Sequence, residues 1–138
     1  MKYLLDTNVL SDVRRRAVPS LDAWVEVQPA VELALSSITI LEIEVGVQLM
    51  ERRDATQGAA LRRWLTDQVL PRFAGRILPV DVRVATAAAG FHVPDPMADM
   101  DALIAGTAQV HGLTLITRNV SDFARTGVPL LNSWTDFG

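Results

Sequence analysis

The alternation of short apolar runs with longer segments of helical periodicity constrains this fold more than any other feature of the sequence. Each apolar run is three or four residues long. Between the runs, apolar residues recur at the spacing that is typical of amphipathic helices. This alternation predicts an α/β fold with a mainly parallel, five-stranded sheet and helices on both faces. The predicted strands are Tyr3–Leu5, Leu33–Ser36, Arg76–Leu78, Leu113–Ile116 and Val128–Leu131.

Helical segments fill the stretches between these strands. Ser20 precedes the first helix, prolines follow the first and the third, and Gly112 suits the end of the last. No repeat, low-complexity tract or long linker divides the chain, so its 138 residues predict a single domain over 1–138. The predicted helices are Leu21–Val27, Thr39–Arg53, Ala55–Val69, Val82–Gly90 and Asp99–His111.

Composition and charge exclude several kinds of site. The chain has no cysteine, which rules out disulfides and cysteine-ligated zinc or iron–sulfur centres. Its only lysine is Lys2, so a P-loop lysine or a Schiff-base lysine in the body of the chain is excluded. No glycine-rich dinucleotide fingerprint follows the first strand. The net charge of −3 differs from that of a basic protein that coats nucleic acid.

Export and membrane signals are absent from the sequence. Asp6 follows only three apolar residues, a run too short for the hydrophobic region of a signal peptide. No apolar run reaches the roughly 18 residues that a membrane-spanning helix needs. We therefore expect a cytoplasmic protein that does not insert into a membrane.

Four acidic residues lie where a parallel sheet would bring them to one edge. Asp6 follows the first strand, Glu42 lies in the first turn of the helix after the second strand, Asp101 lies in the first turn of the helix before the fourth, and Asp122 follows the fourth. In such folds, ligands bind at the carboxyl ends of the strands. Crowded carboxylates repel one another, and a proton or a cation relieves that repulsion.

The donor types narrow the identity of such a cation. Oxygen ligands without cysteine, and without a suitable pair of histidines, favour Mg²⁺ or Mn²⁺ over zinc. His92 and His111 have no matching acidic pattern and are interpreted as structural or surface residues. A metal ion held by these acids would generate or position hydroxide for attack on a phosphodiester.

Each acidic residue also has a purely structural interpretation. Asp6 fits an Asx turn, and Thr39 with Glu42 fits a capping box. Asp99, Asp122 and Asp81 fit helix caps, and Asp101, like Asp99, suits a helix start, where negative charge meets the positive end of the helix dipole. Two other functions therefore stay open. One is a non-catalytic α/β binding module whose acids are only caps. The other is a phosphoryl-transferring hydrolase with Asp6 as nucleophile, although Asn8 stands where such enzymes usually have a second aspartate.

Four sequence blocks carry a resemblance to a known family. MKYLLDTNVLSD, SSITILEIEVG, ADMDALIAGTAQVHGLTLITRNVSDF and GVPLLNSW resemble PIN-domain ribonucleases, in particular VapC-type toxins of the FitB-like branch, from Met1 to about Trp134. The resemblance implies strand order 3-2-1-4-5 and Mg²⁺- or Mn²⁺-dependent endoribonuclease activity. It also implies a homodimer, and a toxin–antitoxin hetero-oligomer in which a VapB-type antitoxin inhibits the enzyme.

The resemblance also assigns roles to individual residues. The four acids of the family correspond to Asp6, Glu42, Asp101 and Asp122, of which Asp6 and Asp101 are the expected metal ligands. Asp99 is an additional acid where many relatives have none, so it is a candidate to replace or supplement Asp101. The other polar residues expected to support the acids or the metal-bound water are Thr7, Asn8, Thr39, Thr117 and Asn119.

Three further expectations concern RNA contacts, antitoxin binding and helix packing beside the acids. Arg14, Arg15, Arg16 and Arg118 are predicted to contact RNA phosphates, because they lie near the acidic motifs in the sequence. The antitoxin is expected to place an apolar helix in a groove between helices. Gly46, one turn beyond Glu42, is predicted to make room for close packing beside the acids.

Overall fold

A computed structural model describes residues 1–138 and contains one five-stranded sheet. The strand order is β3-β2-β1-β4-β5, which confirms the predicted order, and all four pairings are parallel. β1 and β2 have the predicted bounds, and the ends of the other three strands differ from the predicted ones by at most two residues. The strands are β1 (Tyr3–Leu5), β2 (Leu33–Ser36), β3 (Ile77–Leu78), β4 (Thr114–Thr117) and β5 (Leu130–Asn132).

The central strand β1 is where the winding of the sheet reverses. It pairs with β2 on one side and with β4 on the other, so that Leu4 lies opposite both Ala34 and Leu115. From β1 the chain winds outwards through β2 and β3, and it then returns to the other side for β4 and β5. The crevice at the carboxyl ends of the strands beside such a reversal is the usual ligand site of a doubly wound sheet.

The helices include one that was not predicted, α1. It begins directly after Asp6, whose carboxylate caps it, so the expected Asx turn is in fact the first turn of a helix. No helix is long and apolar enough to cross a bilayer. A π-helical stretch over Leu65–Val69 joins α4 to α5. The helices are α1 (Thr7–Arg14), α2 (Pro19–Val27), α3 (Ser37–Arg53), α4 (Ala55–Trp64), α5 (Leu70–Arg72), α6 (Val82–Phe91), α7 (Asp99–His111) and α8 (Val120–Phe123).

Two apolar cores cover the two faces of the sheet. Side chains alternate between faces along a strand, so Leu4 and Leu115 belong to one core while their neighbours Leu5 and Ile116 belong to the other. Ile104 of α7 packs in the first core, and residues of α1, α2 and α3 pack in the second. Because helices cover both faces, the strands are mostly apolar. Apart from Thr114 at the start of β4, their polar residues, Ser36, Thr117 and Asn132, lie at the carboxyl ends.

Gly46 of α3 and Gly58 of α4 differ in the space that is available for a side chain. A Cβ at Gly46 would meet no atom within 4 Å, so the hypothesis that Gly46 allows close packing beside the acids is wrong. A Cβ at Gly58 would lie 2.5 Å from the backbone Cα of Glu51. The close approach in this region is therefore between α3 and α4, and it requires glycine at position 58.

We predict opposite effects on stability when each of these glycines is replaced by alanine. Gly46→Ala should raise the free energy of unfolding by about 0.5–1 kcal/mol, because alanine favours the helix and its methyl group enters open space. Gly58→Ala should lower it by about 1–3 kcal/mol, because the methyl group overlaps backbone atoms. Urea unfolding of both variants measures these changes, and equal effects would contradict the α3–α4 packing described here.

Candidate active site

A polar recess of about 380 Å³ opens at the carboxyl ends of β1 and β4, and it contains no hydrophobic lining residue. We call it the acidic recess. Three of the four acids predicted from the sequence line it, although they come from separate parts of the chain. Asp122 does not line it, but its charge acts on Asp101. The lining residues are Asp6, Thr7, Asn8, Ser11, Arg15, Glu42, Asp101, Arg118 and Asn119.

Asp6 is buried at the end of the central strand and accepts hydrogen bonds on both carboxylate oxygens. Its backbone N–H donates to the carbonyl of Ile116 at 2.9 Å, which continues the β1–β4 ladder to the edge of the recess. Oδ1 accepts from the Thr7 N–H at 2.8 Å, and Oδ2 accepts from Thr117 Oγ1 at 2.7 Å and from Asn8 Nδ2 at 3.1 Å. These bonds fix the orientation of the carboxylate.

Glu42 is fixed from the side of α1. Thr7 Oγ1 donates to Glu42 Oε1 at 2.7 Å, and the hydroxyl of the buried Thr39 lies 3.2 Å from that of Thr7. The helix cap is Ser36, whose Oγ accepts from the Ile38 N–H, so the capping box predicted for Thr39 and Glu42 is wrong. Thr39 and Glu42 instead belong to the side-chain network of the recess.

The other acidic residues considered from the sequence do not all line the recess. Asp101 lines the recess from the first turn of α7. Asp99 is exposed and lies 3.5 Å from His92 Nε2, outside the recess lining. Neither Asp99 nor Asp122 caps a helix as predicted, because α7 and α8 have no side-chain cap. Asp81 does cap α6, where Oδ1 accepts from the Val84 N–H at 2.9 Å.

Burial and like charges raise the pKa values of two recess acids. Burial is the largest cause for Asp101, followed by the charges of Asp6, Asp122 and Glu42, and together they raise its pKa to about 6. Burial also raises the pKa of Asp6, although its hydrogen bonds from Thr117, Thr7 and Asn8 oppose that effect. A cation bound among these groups would favour their ionised forms.

The donor set fits a hard, hydrated divalent cation. Every acidic donor in the recess is a carboxylate, and no histidine lines it. No three histidine, cysteine, aspartate or glutamate side chains are grouped so that they could hold a metal ion. Mg²⁺ does not need three protein ligands, because it keeps several waters and takes one or two carboxylates from the protein. Asp6 and Asp101, with water, could supply this coordination.

The four predicted RNA-binding arginines are divided between two surfaces. Arg15 and Arg118 line the acidic recess, with Asn119 beside them. Arg14 and Arg16 line a second recess of about 520 Å³, the helical groove, where the Arg14 guanidinium lies 5.6 Å from the ring centre of Trp64. The helical groove is lined by Leu10, Val13, Arg14, Arg16, Asp22, Val25, Glu26, Trp64, Gln68, Val69, Arg72 and Phe73.

Two residues beside the acidic recess were missed by the sequence analysis. Asp12 is 1% exposed and accepts hydrogen bonds from Arg15, Arg118 and Trp134. The signal that could have found Asp12 is its helical spacing of four from Asn8, which becomes visible once α1 is recognised. Trp134 lies 122 residues away from Asp12, and no local pattern connects the two.

Comparisons with known proteins agree with this architecture. Residues 3–129 match the PIN domain family. Toxin FitB of Neisseria gonorrhoeae is 35% identical over 96% of this chain and 99% of its own, and the crystal structure of FitAcB from that species superposes with a TM-score of 0.87 at 34% identity, covering 96% of this chain and 99% of that one.

Two further relatives are similarly complete matches. VapC ribonuclease Y4jK of Sinorhizobium fredii is 34% identical over 95% of this chain and 96% of its own. A toxin–antitoxin complex from Klebsiella pneumoniae contains a chain with a TM-score of 0.69 at 28% identity, covering 96% of this chain and 98% of that one.

We predict that removing one charge from the acidic recess stabilises the metal-free protein. The pKa of Asp101 is about 6 in the folded protein against an ordinary value of 3.8, so the folded state binds the proton more tightly and stability falls as pH rises through this range. At pH 7 with a chelator present, Asp101→Asn should therefore raise the free energy of unfolding by on the order of 1 kcal/mol, because solvent screens this partly buried group.

The matched control is Asp99→Asn, which removes a charge from the same helical turn but outside the recess. It should leave stability unchanged or lower it by about 0.3–1 kcal/mol, because the carboxylate there favours the helix N-terminus. Denaturant unfolding at pH 4 and pH 7 measures both variants. A destabilised Asp101→Asn protein at pH 7 would contradict the charge crowding.

Proposed function

Because the chain belongs to the PIN-domain family, we propose that it is an endoribonuclease toxin that hydrolyses RNA with a divalent metal ion and is neutralised by a cognate antitoxin. The observation that carries this proposal is the convergence of Asp6, Glu42 and Asp101 in one recess that also presents two arginines. The relatives named as toxins and ribonucleases support it. PIN-domain ribonucleases generally use divalent metal ions.

In this proposal Asp6 and Asp101 hold the metal ion, and Mg²⁺ is the ion favoured by the all-oxygen donor set, with Mn²⁺ as an alternative. Such an ion supplies Lewis-acid stabilisation of a phosphate oxygen and a water of lowered pKa. Asp6 is the fixed ligand, since three neighbours orient its carboxylate. Without a bound metal ion the pKa of Asp101 is about 6, and a cation bound beside it would lower that pKa and favour the ionised ligand.

Glu42 is the proposed base for the attacking water, and the other polar residues of the site hold its neighbours in place. Glu42 accepts a hydrogen bond on Oε1 from Thr7, while its other oxygen accepts none from the protein. That second oxygen is free to accept a proton from water as the water attacks phosphorus. The bond from phosphorus to the leaving ribose oxygen breaks, and that oxygen takes up a proton from solvent. Thr39 accepts a hydrogen bond from Thr7, and Thr117 donates one to Asp6 while accepting one from the backbone N–H of Asn119. Asp122 adds negative charge near Asp101.

In this proposal the two arginines of the acidic recess bind the phosphates of the RNA. Guanidinium groups bind phosphate oxygens through paired N–H donors. Arg15 and Arg118 lie next to the acids and can contact phosphates of an RNA strand whose scissile bond is at the metal. Arg14 and Arg16 lie on the helical groove, so they are assigned to partner binding instead of RNA binding.

The helical groove is the proposed binding site of the antitoxin. Its walls come from α1, α2 and the segment after α4, and half of its twelve lining residues are hydrophobic. Such a groove suits an apolar helix of a partner with acidic residues near Arg14, Arg16 and Arg72. The homodimer expected from the family has a candidate surface elsewhere, in the exposed apolar stripe of Leu41, Val45 and Leu49 on α3.

No observation specifically favours either of the two alternative functions. Enzymes with an aspartate nucleophile usually have a second aspartate two residues on, but that position is Asn8, which donates to Asp6 Oδ2 and offers no second carboxylate. That mechanism would also leave a phosphorylated Asp6, which mass spectrometry detects, whereas attack by water leaves the enzyme unmodified. A non-catalytic binding module whose acids only stabilise helix ends does not account for Glu42, which caps no helix and instead accepts a hydrogen bond from Thr7 in the recess.

We predict that RNA cleavage requires a divalent ion and the two proposed metal ligands. With Mg²⁺ or Mn²⁺ present the wild type should cleave RNA, and a chelator should abolish cleavage. Asp6→Asn and Asp101→Asn should each reduce the rate by about 100-fold or more, because the metal loses a charged ligand. Asp81→Asn is the matched control, since Asp81 is a helix cap outside the recess. Cleavage by both recess variants at the control rate would refute this function.

We predict that the helical groove binds antitoxin independently of catalysis. Trp64→Ala removes a large side chain from the groove and should weaken binding of the antitoxin encoded beside this gene by about 10-fold or more, as for a buried aromatic anchor. RNA cleavage should stay near the wild-type rate. Val82→Ala, at an 81% exposed position on α6, is the control. Unchanged neutralisation of Trp64→Ala in a cleavage assay would place the antitoxin elsewhere.

A further inference from the structure

Asp12 is a buried carboxylate directly behind the acidic recess, and its two oxygens bind three side chains. Oδ1 accepts from Arg15 Nη2 at 3.1 Å and from Arg118 Nη1 at 3.0 Å. Oδ2 accepts from Trp134 Nε1 at 2.9 Å. The side chain of Asp12 is 1% exposed, whereas those of Arg15 and Arg118 are 55% and 35% exposed. The anion is therefore hidden, and its two cationic partners face solvent.

Arg118 is held from three directions. Its guanidinium is bound to Asp12 and lies 5.7 Å from the ring centre of Trp134, and its backbone N–H donates to Asn8 Oδ1 at 3.4 Å. A guanidinium carries five N–H donors, and Arg118 uses one of them on Asp12. Most of its donors thus remain available, in an orientation fixed by the protein.

The two arginines line the same recess as three carboxylates but pair with none of them. Their only ion-pair partner is Asp12, although Asp6, Glu42 and Asp101 share the recess with them. A flexible arginine beside three partly crowded carboxylates is strongly attracted to them. Asp12 therefore opposes a collapse that would place a cation of the protein where the divalent ion is proposed to bind.

Stability alone is a weak explanation for this arrangement. A buried ion pair often contributes less to stability than apolar residues of the same volume, because desolvation of the charges offsets their attraction. The chain also forms an ion pair away from the recess, between Glu44 and Arg62, and there both partners are partly exposed. Only the Asp12 cluster hides its anion and directs its cations towards the proposed catalytic acids.

We propose that Asp12 and Trp134 are positioning residues that hold the guanidinium groups of Arg118 and Arg15 at the rim of the acidic recess. Held there, the arginines contact a phosphate of the RNA and leave the carboxylates free for the divalent ion. The inference rests on the proposed ribonuclease function. It deepens that function by assigning a role to two residues that never touch the reacting atoms.

The test compares Asp12→Asn with wild type in RNA cleavage and in Mg²⁺ binding without RNA. Asp12→Asn removes the charge that holds the arginines, so KM for RNA should rise by about 10-fold while kcat at saturating Mg²⁺ changes less than about 3-fold. The slope of RNA affinity against salt should fall by about one phosphate contact. The Mg²⁺ concentration that gives half-maximal thermal stabilisation should rise several-fold.

A second substitution separates positioning from a merely structural role. In the double variant Asp12→Asn with Arg118→Ala, no Arg118 guanidinium can enter the recess, so Mg²⁺ binding should return towards the wild-type value while RNA binding stays weak. A structural defect would not be repaired by a further truncation. Failure of Arg118→Ala to restore Mg²⁺ binding, or an unchanged KM and salt slope in Asp12→Asn, would overturn the proposal.

Two further variants keep the test decisive if Asp12→Asn folds poorly. Trp134→Phe keeps an aromatic ring beside Arg118 but removes the N–H donor to Asp12, at a residue that is 55% exposed, and should raise KM by about 2- to 5-fold. Glu44→Gln, which breaks the ion pair with Arg62, should leave KM and Mg²⁺ binding unchanged. An unchanged KM in Trp134→Phe counts against positioning.

The outcome also separates this proposal from the proposed function. If the wild type cleaves no RNA with Mg²⁺ or Mn²⁺, the ribonuclease function fails, and the Mg²⁺ titrations of the single and double variants still test whether Asp12 keeps Arg118 away from the acids. If the wild type cleaves RNA and Asp12→Asn matches it in KM, salt slope and Mg²⁺ binding, only the positioning role is lost.

Discussion

Electrostatic repulsion among carboxylates gathered at one edge of a parallel sheet is the constraint on which the rest of this structure depends. Asp6, Glu42 and Asp101 come from three elements that meet at the carboxyl end of β1. Burial, followed by repulsion from Asp6, Asp122 and Glu42, raises the pKa of Asp101 to about 6. A fold can keep such groups together only if other interactions fix them. Here, hydrogen bonds from Thr7 and Thr117 do so, and two apolar cores anchor the strands that carry them.

Electrostatic interactions also determine how the two arginines beside the recess are placed. Arginines placed near unpaired carboxylates would neutralise them, and a recess neutralised by its own protein has little affinity for a divalent ion. The buried Asp12 resolves this conflict by giving Arg15 and Arg118 a partner behind the recess. The carboxylates thereby stay available for the metal ion and the arginines for phosphate, although both kinds of residue line one cavity of about 380 Å³.

The fold could be predicted from the sequence because short apolar runs and segments of helical periodicity alternate along the chain. Apolar runs such as Leu4 with Leu5 are long enough to be read as strands, and the order of the sheet came from the family resemblance. The capping box at Thr39 was wrong because Ser36, three residues earlier, is an equally good cap and was closer to the strand end. Asp12 and Trp134 could not be paired, since their contact spans 122 residues and depends on burial that no local pattern encodes.

The central claim is that crowded carboxylates make this recess a binding site for a divalent cation. Nuclear magnetic resonance of the side-chain carboxyl carbon of Asp101, followed as pH is changed, tests it most directly. Without metal the pKa should be near 6, and adding Mg²⁺ should lower it clearly, because the bound cation favours the ionised form. An ordinary pKa without metal, or a pKa that Mg²⁺ leaves unchanged, would contradict the account.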